Sequence, residues 1–200
     1  MGLFNKSSKD KDSSELKDIL SIPYDYSGYD LVFEEGTTDP GVYAEINALV
    51  TNERLDISEV DGYEDLSIDS SEDEFWEFYD NWIEALEENG FVTELPMADD
   101  IGAFAEEIDR ILGNIGAPEM LDTEAAVSAF RAEVVKYSFR GKPVDENFKY
   151  DILEANIVCA ELRKIGYELI AFFNGADNNV KAVIPVDRIA AMEELERRIK

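Results

Sequence analysis

Between Asp18 and Asp100 the chain carries 25 acidic residues and a single basic residue, Arg54, which leaves this span with a net charge of −24. Such concentrated charge costs folding stability through self-repulsion, so salt or divalent cations should stabilise the fold. The chain as a whole carries −28, and from Ile101 to Lys200 it has 18 acidic and 13 basic residues, so the excess is regional. A hydrophobic content of 45% and an aromatic content of 11% nevertheless predict a packed globule rather than a disordered acidic tail.

The length of 200 residues suits one domain with a sizeable core. We predict a flexible leader over residues 1–14, rich in Lys, Asp and Ser, and a single α+β domain over residues 15–200. A subdivision near residues 96–100 is the alternative. No fixed-period repeat divides the chain further.

Several function classes conflict with the composition. The chain has no histidine, which excludes Ser-His-Asp and Cys-His catalysis and imidazole zinc sites. Its one cysteine, Cys159, excludes an internal disulfide framework and is predicted to be a small buried hydrophobic residue. No apolar stretch has the length of a signal peptide or a membrane span. The sequence therefore predicts a cytoplasmic protein that contacts neither membranes nor nucleic acid directly.

Apolar residues at helical spacing predict that most of the chain is helical. The clearest helix covers about Glu72 to Asn89, begins after a cap at Ser70 or Ser71 and ends at Gly90. Its aromatic residues, including Trp76 and Trp82, are predicted to face the core. Further helices are predicted over about 15–20, 40–50 (capped by Asp39), 101–115 (capped by Asp99 or Asp100), 123–138, 146–165 and after Pro185.

Strand composition marks residues 29–34, 91–95, 167–173 and 180–184. The last two runs flank an Asn/Gly/Asp cluster, which predicts a β-hairpin. Residues 51–71 are predicted to form a loop with one or two short strand pieces. Together these elements predict an α+β fold: a small, mostly antiparallel sheet of about four strands packed with five to six helices, with a C-terminal β-hairpin followed by a helix.

The acidic run is the one candidate functional surface. A span with one base among 26 charges has almost no local ion pairing, so a cationic protein from outside would relieve its repulsion. A solvated, solubilising surface is the alternative, since most charge runs serve that purpose. The predicted partner-binding residues are Asp61, Glu64, Asp65, Asp69, Glu72, Asp73 and Glu74.

Other chemistries find little support. With Gly62 at the sixth position of a calcium loop, the first and twelfth positions would be Ile57 and Ile68, so the EF-hand register fails. The glycines form no phosphate-binding motif. We therefore predict no catalytic, cofactor-binding or dedicated metal residues, and at most weak binding of divalent cations at the surface. The tyrosines Tyr24, Tyr26 and Tyr29 are predicted to pack in the core or to be semi-buried, with a ligand-stacking or interface cluster as the alternative.

Two stretches resemble a bacterial domain family of unknown function. One is the helix-to-strand unit from Asn81 to Leu95, and the other runs from Ile165 to Asp187 through the predicted hairpin. The resemblance implies no catalytic residues. In size and charge the chain is also similar to immunity proteins of bacterial toxin systems and to protein mimics of DNA.

Three functions remain open at this stage. The first is a non-enzymatic acidic module that binds a basic protein partner, in an immunity-like or nucleic-acid-mimic role. The second is a hydrolase or transferase that uses Asp or Glu, with magnesium as a candidate cofactor; it requires a deep pocket with carboxylates of raised pKa. The third is a housekeeping protein whose acidity serves solubility alone.

Overall fold

The computed structural model describes residues 28–32, 39–94, 101–136, 138–139, 142–143, 150–173 and 179–199. These contain the helices α1 (Pro40–Thr51), α2 (Glu72–Glu88), α3 (Ile101–Ile115), α4 (Thr123–Lys136), α5 (Tyr150–Lys164) and α6 (Ile189–Ile199). The strands are β1 (Tyr29–Val32), β2 (Val92–Glu94), β3 (Ser138–Phe139), β4 (Lys142–Pro143), β5 (Tyr167–Phe173) and β6 (Asn179–Pro185). Short 3-10 helices cover Ile57–Glu59 and Val186–Arg188.

Four of the strands form one mixed sheet in the order β1-β5-β6-β2. The central strands β5 and β6 pair antiparallel along their length, β2 pairs antiparallel with β6, and β1 pairs parallel with β5. Helix α6 follows the strand pair. The predicted α+β class, the four-stranded sheet, the six helices and the C-terminal hairpin followed by a helix are therefore confirmed.

Helix α2 attaches to the sheet through an aromatic side chain. Trp82 is fully buried and stacks on Phe172 of β5, with ring centroids 5.7 Å apart. Its indole nitrogen donates a hydrogen bond of 3.1 Å to the side-chain oxygen of Asn47 on α1. Tyr43, also on α1, packs edge-on against the same indole. One residue thus joins two helices to the sheet, and the predicted aromatic stripe of α2 faces the core: Phe75, Phe78, Tyr79, Trp82 and Leu86 are all buried.

The sheet is covered on both faces. Leu169 and Val183 alternate with Phe172 along the strands, so they lie on the opposite face, and both are fully buried. The helices α1, α2 and α6 lie on the Phe172 side, where Trp82 and a hydrogen bond from Tyr29 to Glu196 place them. The helices α3, α4 and α5 form a second mutually contacting group, of which α3 touches β6 and α5 touches β5. Cys159 of α5 is buried, as predicted.

The expected elements and the observed ones differ in three places. Residues 52–71 contain turns and a 3-10 helix instead of strand pieces, because Asn52 and Glu53 adopt left-handed backbone angles and Asp56 caps a short helix. Helix α4 ends at Lys136, two residues early, and the small β3–β4 pair follows it. Trp76 is only half-buried at the edge of the core.

Some predicted features lie outside the described residues. They are the leader over 1–14, the helix over 15–20, Tyr24 and Tyr26, the caps Asp99 and Asp100, and the turn over 174–178. None of the described helices is both long enough and apolar enough to cross a bilayer.

Replacing Trp82 with Phe should lower the free energy of unfolding by about 2–3 kcal/mol, because it leaves a cavity and a buried Asn47 oxygen without its donor. The matched variant Trp76→Phe, at a half-buried position, should cost less than about 1 kcal/mol. Urea unfolding followed by circular dichroism compares the two. Equal losses would contradict the role given to Trp82.

Candidate partner-binding surface

The acidic segment, residues 52–71, is anchored to the core although it lacks regular secondary structure. Ile57, Val60 and Leu66 are each only 7% exposed and pack into the hydrophobic core. The phenol of Tyr63 donates a hydrogen bond to the carbonyl of Pro40. With these three residues turned inward, although Ile68 stays exposed, the segment presents its carboxylates outward from an anchored backbone.

The one base of the acidic half does not neutralise this surface. Arg54 reaches away to the end of α3, where its guanidinium donates a hydrogen bond of 3.0 Å to the carbonyl of Asn114. It also lies over Gly116, so closely that a Cβ at that position would clash with it. A cation at a helix C-terminus interacts favourably with the helix dipole and the free carbonyls there. Arg54 therefore serves the junction with α3.

The segment continues directly into α2 through a capping box. The hydroxyl of Ser71 accepts a hydrogen bond from the Glu74 backbone N–H, and the Glu74 carboxylate accepts one of 2.7 Å from the Ser71 backbone N–H. The hydrogen bond from the Ser71 backbone N–H to the Glu74 carboxylate, together with one from the Ser71 hydroxyl, holds the pKa of Glu74 below its ordinary value. Earlier in the segment the Ser58 hydroxyl and backbone N–H likewise lower the pKa of Asp56. Both carboxylates therefore stay ionised further into the acidic range.

A groove of about 700 Å³ lies between the segment and α2. Leu66 and Phe78 contribute its apolar lining, and Gly62 makes the turn beside it with a positive φ of 86°. The Asn81 amide donates a hydrogen bond of 3.3 Å to the Asp61 carbonyl and joins the two walls. Four carboxylates line the groove: Asp61, Asp65, Glu74 and Glu77.

All seven predicted partner-binding acids are exposed. The structure brings three of them together on the groove, Asp61, Asp65 and Glu74, and leaves the other four on the surrounding surface: Glu64, Asp69, Glu72 and Asp73. Within the described residues none of the seven forms an ion pair. The negative charge of these seven residues is therefore not balanced by an ion pair within the part of the chain that the structure describes.

Two groove residues, Glu77 and Asn81, are absent from the predicted set. Glu77 lies three residues after Glu74 and Asn81 four residues after Glu77, so all three share one face of α2. Helical spacing extended from Glu74 would have found them. The fold-back of the acidic segment onto that face depends on the turn at Gly62 and carries no comparable sequence signal.

Several acids elsewhere among the described residues do form ion pairs. Arg110 contacts Glu107 at 2.5 Å, Arg163 contacts Glu168 at 2.7 Å, and Arg198 of α6 bridges to Glu45 and Asp39 around α1. A further groove of about 370 Å³ between α3 and α4 carries both signs of charge, from Glu106, Glu124 and Arg131. The groove beside α2 differs from it because its charged lining residues are all carboxylates.

A buried ionisable group lies apart from this surface, on the sheet. The strand register places Asp30, Ala171, Lys181 and Thr93 in one row across the four strands, with their side chains on one face. Lys181 is only 4% exposed. Burial raises the pKa of Asp30, and the charge of Lys181 opposes that rise.

Metal chemistry gains no support from the described residues, in which no group of three or more Asp, Glu or Cys side chains is placed to hold an ion. No protein-family model, curated protein or solved structure matches this chain.

Replacing Ser71 with Ala should lower the free energy of unfolding by about 1 kcal/mol at neutral pH, because α2 loses its N-cap. The stabilisation from the hydrogen-bonded Glu74 carboxylate is fully present at pH values above the pKa that Glu74 has in the unfolded chain. It is lost as the pH falls through the lower pKa that Glu74 has in the folded protein. The difference between variant and wild type should therefore shrink in acid. Urea unfolding at neutral and acid pH measures it, and Ser128→Ala, an exposed site within α4, is the control. Equal stability of the two variants at neutral pH would refute the capping role.

Proposed function

We propose that this protein is a non-enzymatic, cytoplasmic interaction module that binds a basic protein partner through the acidic groove and the carboxylates around it. The observation that carries the proposal is the absence of compensation: seven predicted acids are exposed, none has an ion-pair partner among the described residues, and Arg54 points elsewhere. Like charges held close together raise the free energy of the isolated protein. A cationic partner that neutralises them recovers part of that cost.

The groove offers a partner a defined place to bind. A Lys or Arg side chain entering it would meet carboxylates from both walls, Asp61 and Asp65 from the segment and Glu74 and Glu77 from α2. Arginine suits such a site because its planar guanidinium can donate two parallel hydrogen bonds to a carboxylate. The apolar lining from Leu66 and Phe78 can contact the aliphatic stem. Because buried side chains already anchor the segment, its backbone should lose little conformational entropy when a partner binds.

The surrounding acids favour fast encounter. Surface charge of one sign steers an oppositely charged protein to its site and raises the association rate, an effect that salt weakens. A surface of exposed carboxylates also resembles the charge of a nucleic-acid backbone. The partner class that we propose is accordingly a nuclease-type toxin or another nucleic-acid-binding protein, which this chain would hold in an immunity-like or mimic role.

The enzymatic alternative calls for carboxylates that converge in a closed pocket. The four carboxylates of the groove are instead exposed, and Glu74 is engaged in the helix cap with a lowered pKa. The solubility alternative makes a different prediction from ours, because it assigns no special place to the groove. A comparison of equally charged variants separates the two.

The variant Asp61→Asn, Asp65→Asn, Glu77→Gln removes three groove charges and leaves the helix cap intact. Its affinity for a nona-arginine peptide should fall at least tenfold in low salt, whereas the control Glu106→Gln, Glu119→Gln, Glu124→Gln should change it less than about twofold. Isothermal titration calorimetry measures both. Equal weakening by the two variants would show that total charge alone attracts the peptide and would contradict the proposed site.

A pull-down extends the test to natural partners. The wild-type protein should retain a basic protein from a cell lysate at low salt and release it at high salt, and the groove variant should retain less than the control variant. Failure to recover any basic protein at low salt would count against the proposed function even if the peptide binds.

A further inference from the structure

Strand β1 is one of the two edge strands of the four-stranded sheet. It has four residues and, among the residues that the structure describes, pairs only with β5. Its pairing is parallel, a pattern slightly less stable per residue than the antiparallel pairing that joins β5 to β6. Short edge strands of this kind need side-chain contacts to stay in place.

One such contact lies on the face toward α6. The phenol of Tyr29 donates a hydrogen bond of 2.5 Å to the carboxylate of Glu196, and Leu31, on the same face, is fully buried. Burial and this hydrogen bond raise the pKa of Tyr29, so the phenol remains a donor throughout the neutral range. The carboxylate acceptor makes the hydrogen bond a charge-assisted one.

The opposite face adds no comparable contact. Asp30 points away from Tyr29 and Leu31, because successive residues of a strand alternate, and shares a row with Ala171 and Lys181. Partial burial raises the pKa of Asp30, so the cost of desolvating its charge exceeds the attraction of Lys181 across the intervening strand. The ionised Asp30 therefore favours release of β1, and the hydrogen bond from Tyr29 to Glu196 opposes it.

We propose that β1 is a detachable edge strand, held by the hydrogen bond between Tyr29 and Glu196, which leaves the sheet before the rest of the fold opens. Local opening of this kind is expected where few apolar side chains are buried, and Leu31 is the one fully buried residue of the strand among the side chains described. Its departure would expose the backbone of β5 from Ile170 to Phe173 as a free parallel edge.

Hydrogen exchange followed by mass spectrometry tests the proposal. In the wild-type protein the amides of residues 29–32 should exchange at least tenfold faster than those of the β6 core, through local opening. The variant Tyr29→Phe keeps the ring and loses the hydroxyl, so it should speed exchange in β1 roughly tenfold further while α2 is unchanged. The control Tyr63→Phe, which removes a tyrosine hydroxyl from the acidic segment, should leave the exchange rates of the β1 amides unchanged.

Two results would overturn the proposal. If β1 exchanges as slowly as β6 in the wild-type protein, the strand does not detach separately. If Tyr29→Phe alters exchange in every element equally, or leaves β1 unaltered, the contact with Glu196 does not control the opening. The variant Glu196→Gln provides an independent check, since it keeps an acceptor for Tyr29 but removes the charge and should speed exchange in β1 less than Tyr29→Phe does.

Discussion

The packing of Trp82 between α1 and β5 is the interaction on which the rest of the structure depends. Its indole stacks on Phe172, donates to Asn47 and contacts Tyr43, so a single side chain sets α2 against both the sheet and α1. Asn47 in turn donates to the carbonyl of Leu55, which ties the start of the acidic segment to the same core. Because α2 is fixed in this way, its opposite face is fixed as well.

That opposite face explains how so acidic a chain folds. Every acidic residue of α2 is exposed, while its aromatic residues other than the half-buried Trp76 are buried, so charge and core are separated on one helix. The acidic segment follows the same rule with Ile57, Val60 and Leu66 inside. Burial of apolar surface supplies the favourable free energy, and the carboxylates stay in water where their repulsion is screened. The functional proposal depends on the same separation, since the seven predicted acids, which form no ion pair within the described residues, are held on an anchored backbone.

Periodicity and capping residues predicted much of the fold. Asp39 followed by Pro40, and a serine cap at Ser70 or Ser71, are local signals, and the helices begin where they indicate, with Ser71 as the observed cap. The hairpin strands were predicted within a residue because their apolar runs are long. The parallel pairing of β1 with β5 was beyond sequence patterns, since it joins residues about 140 positions apart and depends on the whole core.

The candidate surface was predicted in composition but not in shape. Seven acids were named from charge density, and the structure gathers Asp61, Asp65 and Glu74 around the groove together with Glu77. Charge density along the sequence could not distinguish the groove acids from Glu64 or Asp69. Which acids line the groove is decided by the turn at Gly62 and the inward packing of Leu66. The position of Arg54 was equally hidden, since its acceptor is a backbone carbonyl of a distant helix.

The most direct test of the central claim is a map of where a cation binds. Backbone amide shifts recorded by nuclear magnetic resonance during titration with nona-arginine at low salt should change most between Asp61 and Asn81. Glu84 and Glu88 provide an internal comparison, because they are exposed acids on the same helix beyond the groove. Changes concentrated at the groove would support the account. Changes spread evenly over all exposed acids, or centred on the far end of α2, would contradict it.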